Sequence, residues 1–170
     1  SLSRATTAKH MDLPSGLIFS TDQDFLRIIP RKARTGSPSI NLEEYPLKVP
    51  SDIQIPGWLI KARVSIPSYV LPDSGRYTIR LDEARVGRRL MLRGRRPGDR
   101  FQPLGMTGTK KLQDFMVDAK IPRDKRGLVP LVLSENRIAC IVGHRVAQWA
   151  MVGGDTQRVV CLEFSPITPM

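Results

Sequence analysis

Proline limits what this chain can fold into. Fourteen prolines are spread over 170 residues. Each fixes φ and removes a backbone donor, so helices and central strands must fit between them. The segments between them are short, and several alternate. Ile60, Ala62, Val64 and Ile66 are interleaved with Lys61, Arg63 and Ser65, the period of two expected of a half-buried strand. Tyr77, Ile79 and Leu81 repeat the pattern against Arg76, Thr78 and Arg80, and Leu90 and Leu92 repeat it against Arg89 and Arg93. In these two strands the arginines take the solvent side, which predicts a basic sheet face. Leu131 and Leu133, a Ser134-Glu135-Asn136 turn and Ile138–Val146 read as a hairpin, and Val160, Leu162 and Phe164 as a last strand. Leu17–Phe19 and Phe25–Ile29 are two earlier strands, with Asp22 and Asp24 in the turn between them. From Pro30 to Trp58, Pro30, Pro38, Pro46, Pro50 and Pro56 stand among few periodic apolar residues, which predicts a long loop or linker.

One helix interrupts the strands. Leu112, Phe115, Met116 and Ala119 fall at i, i+3, i+4 and i+7, and Pro122 ends the pattern. The expected fold class is α+β and β-rich, a small sandwich or barrel-like sheet with one short helix packed on it. Two parts are expected: a β-rich connecting segment over residues 1–75, carrying the proline loop 30–58, and a C-terminal domain over residues 76–170. The longest apolar runs, Leu128–Leu133 and Ile138–Val142, fall far short of the roughly 20 residues of a membrane helix. No secretory pattern opens the chain. It begins at Ser1 in a polar stretch, as would an excised piece of a larger protein or a chain whose initiator Met has been removed before Ser. Cys140 and Cys161 lie in apolar strand-like runs, which predicts reduced core thiols and a cytoplasmic compartment.

Formal net charge is +11, and its distribution is uneven. From Arg76 to Arg126 there are 15 Lys/Arg against 6 Asp/Glu. The earlier residues carry 9 against 7 and the later ones 3 against 3. Like charges held close in a compact fold repel one another, and a polyanionic partner relieves that cost. Nucleic acid is the first such partner. An anionic membrane is the second, but no amphipathic helix with a wide apolar face is present to insert.

Catalytic constellations are sparse. The two histidines are His10 and His144; His144 shares its phase with Ile138, Cys140 and Val142 and reads as a core or half-buried residue. No Cys/His pair has metal-ligand spacing. Gly105-Met106-Thr107-Gly108-Thr109-Lys110 misses the spacing of a phosphate loop, and Gly153-Gly154-Asp155-Thr156 reads as a turn. Pro97-Gly98-Asp99 is turn chemistry, with Gly98 free to take positive φ and Asp99 able to accept nearby amides. Arg100 is expected to pair with Asp99 or Asp114, or else to face RNA. The loop before the helix predicts Thr109 as N-cap, with Lys110 and Lys111 in the first turn. Cations are disfavoured there by about 0.3–1 kcal/mol, so their placement points to a phosphate ligand. Lys120, Arg123, Lys125 and Arg126 extend the charge beyond the helix. Tyr77, Phe101 and Phe115 are the few aromatics in this basic third, so the backbone and shape of a duplex suit it better than base stacking.

The run Leu92-Arg93-Gly94-Arg95-Arg96-Pro97-Gly98-Asp99-Arg100-Phe101-Gln102-Pro103-Leu104-Gly105-Met106, continued by Lys110-Lys111-Leu112-Gln113-Asp114-Phe115, Lys120-Ile121-Pro122-Arg123 and Arg126, closely resembles the carboxy-terminal domain of bacterial tRNA(Ile)-lysidine synthetases. The likeness is dense over Arg88–Arg145, looser over Met11–Gly87, and only a terminal strand beyond Trp149. It implies an unusual β-sandwich, also seen in phenylalanyl-tRNA synthetase, that grips the acceptor-stem end of tRNA. It also implies that ATP and lysine are handled by an amino-terminal catalytic domain bearing a Ser-Gly-Gly-x-Asp-Ser loop. This chain has no such loop, so no cofactor is expected in it, and it is expected to be inactive alone. The candidate tRNA contacts are Arg93, Arg95, Arg96, Lys110, Lys111, Lys120, Arg123 and Arg126, with Gly98 and Asp99 as a structural turn. A module that docks on the catalytic domain or holds a homodimer is the alternative expectation. A charged strip argues against that as the sole role, because interface cores are depleted in charge.

Overall fold

The computed structural model describes residues 43–67 and 75–167 with their side chains, and the backbone of 10–13, 17–22 and 25–30. The chain divides into two units, Ser1–Ser37 and Pro38–Met170. In the first, strands β1 (His10–Leu13), β2 (Leu17–Asp22) and β3 (Phe25–Pro30) form an antiparallel sheet in the order β1-β2-β3. The strands predicted over Leu17–Phe19 and Phe25–Ile29 lie within β2 and β3. Asp24 lies outside the described residues.

The second unit is built on two antiparallel sheets. Its strands are β4 (Tyr45–Lys48), β5 (Ser51–Ile55), β6 (Trp58–Ser65), β7 (Thr78–Asp82), β8 (Arg89–Arg93), β9 (Arg100–Phe101), β10 (Lys110–Lys111), β11 (Leu131–Ser134), β12 (Arg137–Ile141), β13 (Arg145–Val146) and β14 (Val159–Pro166). One sheet runs β5-β6-β14-β7 and the other β13-β12-β11-β8-β4, while β9 and β10 form a small ribbon. Leu81, Ala62, Ile60, Leu162 and Val160 of the first sheet meet Leu47, Leu92, Val132 and Cys140 of the second in one buried cluster. This is the core of the expected sandwich.

The five-stranded sheet is covered on its other face as well. Leu131, Leu133, Ile138 and Ile141 form a second cluster there with Phe101, Leu112, Met116 and Ile121. The helix α2 (Leu112–Asp118) contributes Leu112 and Met116 to it. Burial on both faces explains why β11 and β12 read as continuous apolar runs while β6, buried on one face, alternates. Tight turns serve this layering: Glu135 and Asn136 both take positive φ (46° and 65°) between β11 and β12, as a two-residue hairpin turn requires. A single extra helical turn, α1 (Glu83–Val86), is capped by Asp82, whose carboxylate accepts the Ala84 amide at 2.9 Å and the Thr156 hydroxyl at 2.7 Å. Thr156 closes the Gly153–Thr156 turn, its hydroxyl accepting the Gly153 amide.

Three expectations are corrected. The proline-rich stretch is not a loop over its described part, since Tyr45–Lys48 and Ser51–Ile55 are strands and β6 begins at Trp58. Pro46 is tolerated because β4 is an edge strand, paired among the described residues with β8 alone. Residues 31–42 of that stretch lie outside the described residues. The boundary falls at residue 37 rather than 75, because β4 pairs with β8 and β6 pairs with β14 along its whole length. The basic strands β7 and β8 also belong to different sheets, so no single sheet face gathers their arginines.

Candidate nucleic-acid interface

The basic run is organised by one turn. The Arg93 guanidinium forks onto the Asp99 carboxylate, with Nη1 to Oδ2 at 2.8 Å and Nη2 to Oδ1 at 2.9 Å, and Nη1 also donates to the Gly94 carbonyl at 2.9 Å. Asp99 Oδ2 accepts the Arg96 amide at 2.7 Å as well. Gly98, at φ 85°, lets the chain reverse, and the Asp99 amide donates to the Arg96 carbonyl at 3.2 Å. Burial alone would push the Asp99 carboxyl up. The hydrogen bonds from Arg93 and the Arg96 amide, with the charges of both arginines, hold it below the usual carboxylate value instead. The Asp99 carbonyl then accepts the Leu112 amide at 2.8 Å, so the turn also fixes the start of α2.

Arg93 differs from the other candidate contacts in being turned inward. Its side chain is 8% exposed and its fork is engaged by Asp99, and a buried forked pair is a structural element. Asp99 is thereby occupied and is not the partner of Arg100, whose Nη2 lies 3.5 Å from the Thr109 carbonyl and hydroxyl.

Arg95 and Arg96 are pushed outward by the same turn. With Pro97, Gly98, Lys111 and Gln113 they line a hollow of about 300 Å³, in which the carboxylate present among the described residues is Asp99. Arg95 Nη1 donates to the neutral Gln113 Oε1 at 2.5 Å. Arg96 Nη1 meets Glu44 at 2.9 Å, both partly exposed. Lys111 is exposed and stands at the N-cap position of α2, where its side chain makes no capping bond.

The remaining candidates diverge. Lys110 and Lys111 lie in β10, paired with Phe101 and Arg100, so neither occupies the first helical turn and Thr109 is not the cap. Lys110 is ion-paired with Asp118. Lys120 takes φ 54° just past the helix; its amide donates to the Val117 carbonyl at 2.9 Å and the Ile121 amide to the Met116 carbonyl at 3.0 Å. That is a Schellman closure with lysine where glycine is usual. Ala119 is exposed at the helix end and does not extend its apolar face. Arg123 is exposed, while Arg126 is half-buried and its Nε donates to the Ile121 carbonyl at 2.9 Å. Glu44 and Gln113, which modulate the arginines, carried no local sequence signal, because each meets its partner only through the fold.

Neither a metal-binding cluster nor a helix long and apolar enough to cross a membrane occurs among the described residues. Cys140 is buried and Cys161 half-buried, both as free thiols, and burial pushes the Cys140 thiol up. His144 is half-buried on the turn after β12, where burial and then the charge of Arg76 lower its pKa.

Residues 90–162 match the family described as "TilS substrate C-terminal domain". The tRNA(Ile)-lysidine synthase of Dehalococcoides mccartyi is 34% identical over 165 residues, covering 92% of this chain and 33% of that protein. The tRNA(Ile)-lysidine synthase of Symbiobacterium thermophilum is 37% identical over 149 residues, covering 84% and 30%. A solved structure, "Crystal structure of TILS C-terminal domain", aligns with a TM-score of 0.61 at 27% identity over 75% of this chain and all of that one. The chain thus spans about a third of the length of these curated relatives. Residues 90–162 therefore match the TilS C-terminal domain family in sequence, and the fold agrees with a solved TilS C-terminal domain, in a chain similar to tRNA(Ile)-lysidine synthases over about a third of their length.

Proposed function

We propose that this chain is the tRNA-gripping module of a lysidine-forming ligase, holding the acceptor-stem end through phosphate contacts. The observation that carries the proposal is the hollow of Arg95, Arg96 and Lys111, whose own carboxylate is committed to Arg93. Arg95 and Lys111 converge there on space that Asp99 does not neutralise, beside an Arg96 that is ion-paired with Glu44, and a run of phosphates supplies the missing counter-charge. Lys120 and Arg123 extend the charge past the helix. The aromatics of this region serve the fold: Phe115 stacks edge-on against Phe101 with centroids 5.0 Å apart. A contact without stacking platforms fits a duplex stem, read by shape and backbone.

The chemistry, with ATP and lysine as substrates, is assigned to a catalytic domain elsewhere in the cytoplasmic parent protein. This chain takes no cofactor of its own in that scheme. A fluorescent tRNA titrated with the chain at several salt concentrations tests the proposal. Affinity is expected to fall steeply with salt, with a log–log slope for about 4–6 phosphate contacts. No lysidine should form when ATP and lysine are added. A flat salt dependence, or no binding near physiological salt, rejects RNA gripping and favours a module that docks on the catalytic domain or on a second copy.

A further inference from the structure

The charge that the sequence places between Arg76 and Arg126 continues in space onto a turn far along the chain. A hollow of about 280 Å³ opens at the end of β12, lined by Arg76, Thr78, Gly143, His144 and Arg145 together with strand residues. Among the described residues no carboxylate lines it. Arg145 is exposed, and no hydrogen bond or ion pair holds its guanidinium among the described residues. Arg76 is also exposed; its Nε donates to the Gly143 carbonyl at 2.9 Å, which leaves both Nη groups for a ligand.

The turn that carries these groups is rigidly made. Gly143 has φ 76°, and a Cβ on it would lie 2.8 Å from Tyr77 Cε1. Backbone conformation and lack of space both demand glycine there. The His144 amide donates to the Ile141 carbonyl at 3.0 Å, closing the turn. His144 and Arg145 also line a neighbouring hollow of about 350 Å³ together with Lys110, Asp118, Leu104 and Met106. Lys110 adjoins Lys111, which lines the hollow of Arg95 and Arg96. Three hollows therefore follow one another, linked by shared or adjacent cationic residues.

We propose that the hollow of Arg76 and Arg145 is a second phosphate site, which takes a phosphodiester of the same RNA beyond the basic run of the sequence. Two guanidiniums face one cavity with no carboxylate between them, an arrangement whose self-repulsion an anion relieves. Arginine suits the task because its planar fork matches phosphate oxygens. The assignment rests on the RNA-binding function proposed above and widens the footprint from one turn to a strip.

The test compares the wild-type chain with Arg76→Gln, Arg145→Gln, the double variant and Arg145→Lys, by tRNA titration at several salt concentrations and by thermal unfolding. The double variant is expected to lower the log–log salt slope by about one to two, one charge contact for each arginine. Arg145→Gln alone is expected to weaken binding a few-fold, with Arg145→Lys close to wild type. If Arg76→Gln loosens the turn by removing its bond to Gly143, Arg145→Gln decides alone, since that side chain holds nothing within the described protein. A folded Arg145→Gln with wild-type affinity and slope overturns this site and leaves the RNA function standing, provided that Arg95→Gln with Arg96→Gln weakens binding. A wild-type chain that does not bind tRNA overturns both.

Discussion

The Arg93–Asp99 turn and the Gly143–Arg145 turn are both glycine-bearing and basic, and they put their charge to different uses. In the first, a carboxylate sits inside the turn, swallows one arginine and turns the next two outward. In the second no carboxylate lines the hollow, and the Arg145 guanidinium has no hydrogen-bond or ion-pair partner among the described residues. In these two turns the arginine whose fork meets an aspartate is buried, and the one with no such partner is exposed. Position in the basic run does not decide the matter: Arg93 lies in the middle of that run and is buried, whereas Arg145 lies outside it and is exposed.

The largest expected effect tests the structural side. Asp99→Ala strands the buried Arg93 charge and should cost about 3–5 kcal/mol of stability in urea unfolding, whereas Arg95→Ala should change it by less than about 0.5 kcal/mol. Because the folded-state pKa of Asp99 is depressed, its contribution is fully present above its unfolded value of about 3.9 and lost as pH falls through the folded pKa. The acid limb of stability should therefore flatten in Asp99→Asn. Equal small losses for Asp99→Ala and Arg95→Ala would erase the distinction between the turns.

Lys111 is a position where fold and binding should respond in opposite directions. It stands at an N-cap with no side-chain cap, so Lys111→Asp should raise stability by about 1 kcal/mol while weakening tRNA binding. Lys120 repeats the test at the other end of α2. Lys120→Gly relieves the left-handed backbone at φ 54° and should add about 1 kcal/mol, at the expense of one phosphate contact. Thermal unfolding and tRNA titration on the same samples check both. The smallest effect concerns His144, which faces Arg76 and Arg145 on one side and Lys110 and Asp118 on the other. Its pKa is lowered in the free chain, and a bound phosphate favours its protonated form. Affinity should therefore tighten modestly from about pH 8 to about pH 6, with the slope reduced in His144→Gln.

Much of the fold was legible because one-sided strands announce themselves. The strands around Ile60–Ile66 and Val160–Phe164 alternate because one face of their sheet is covered. The strands in the proline stretch were not legible. Tyr45–Lys48 contains Pro46 and gains its place only from pairing with the distant Leu90 and Leu92. The candidate site was partly legible. Gly98 and Asp99 announced a turn, and Arg95, Arg96 and Lys111 were found among the basic residues. Which arginine would face inward depended on the Asp99 fork, and the partnerships with Glu44, Gln113 and Asp118 exist only across the fold. Arg145 carries no signal in the sequence, because the charge balance after Arg126 is neutral and totals do not show which arginines the fold leaves unpaired.

Two triple variants with the same loss of charge separate unpaired from paired cations. Arg95, Lys111 and Arg123 have no carboxylate partner among the described residues, whereas Arg63, Arg85 and Arg88 are paired with Asp52, Asp82 and Glu83. Each set is changed to Gln, and tRNA affinity is measured from about 50 to about 200 mM salt. The unpaired triple should lose at least about tenfold in affinity and about two to three in salt slope, while the paired triple stays close to wild type. Equal losses from the two folded triples would show that net charge alone attracts the RNA, and would contradict the claim that the unpaired cations form its site.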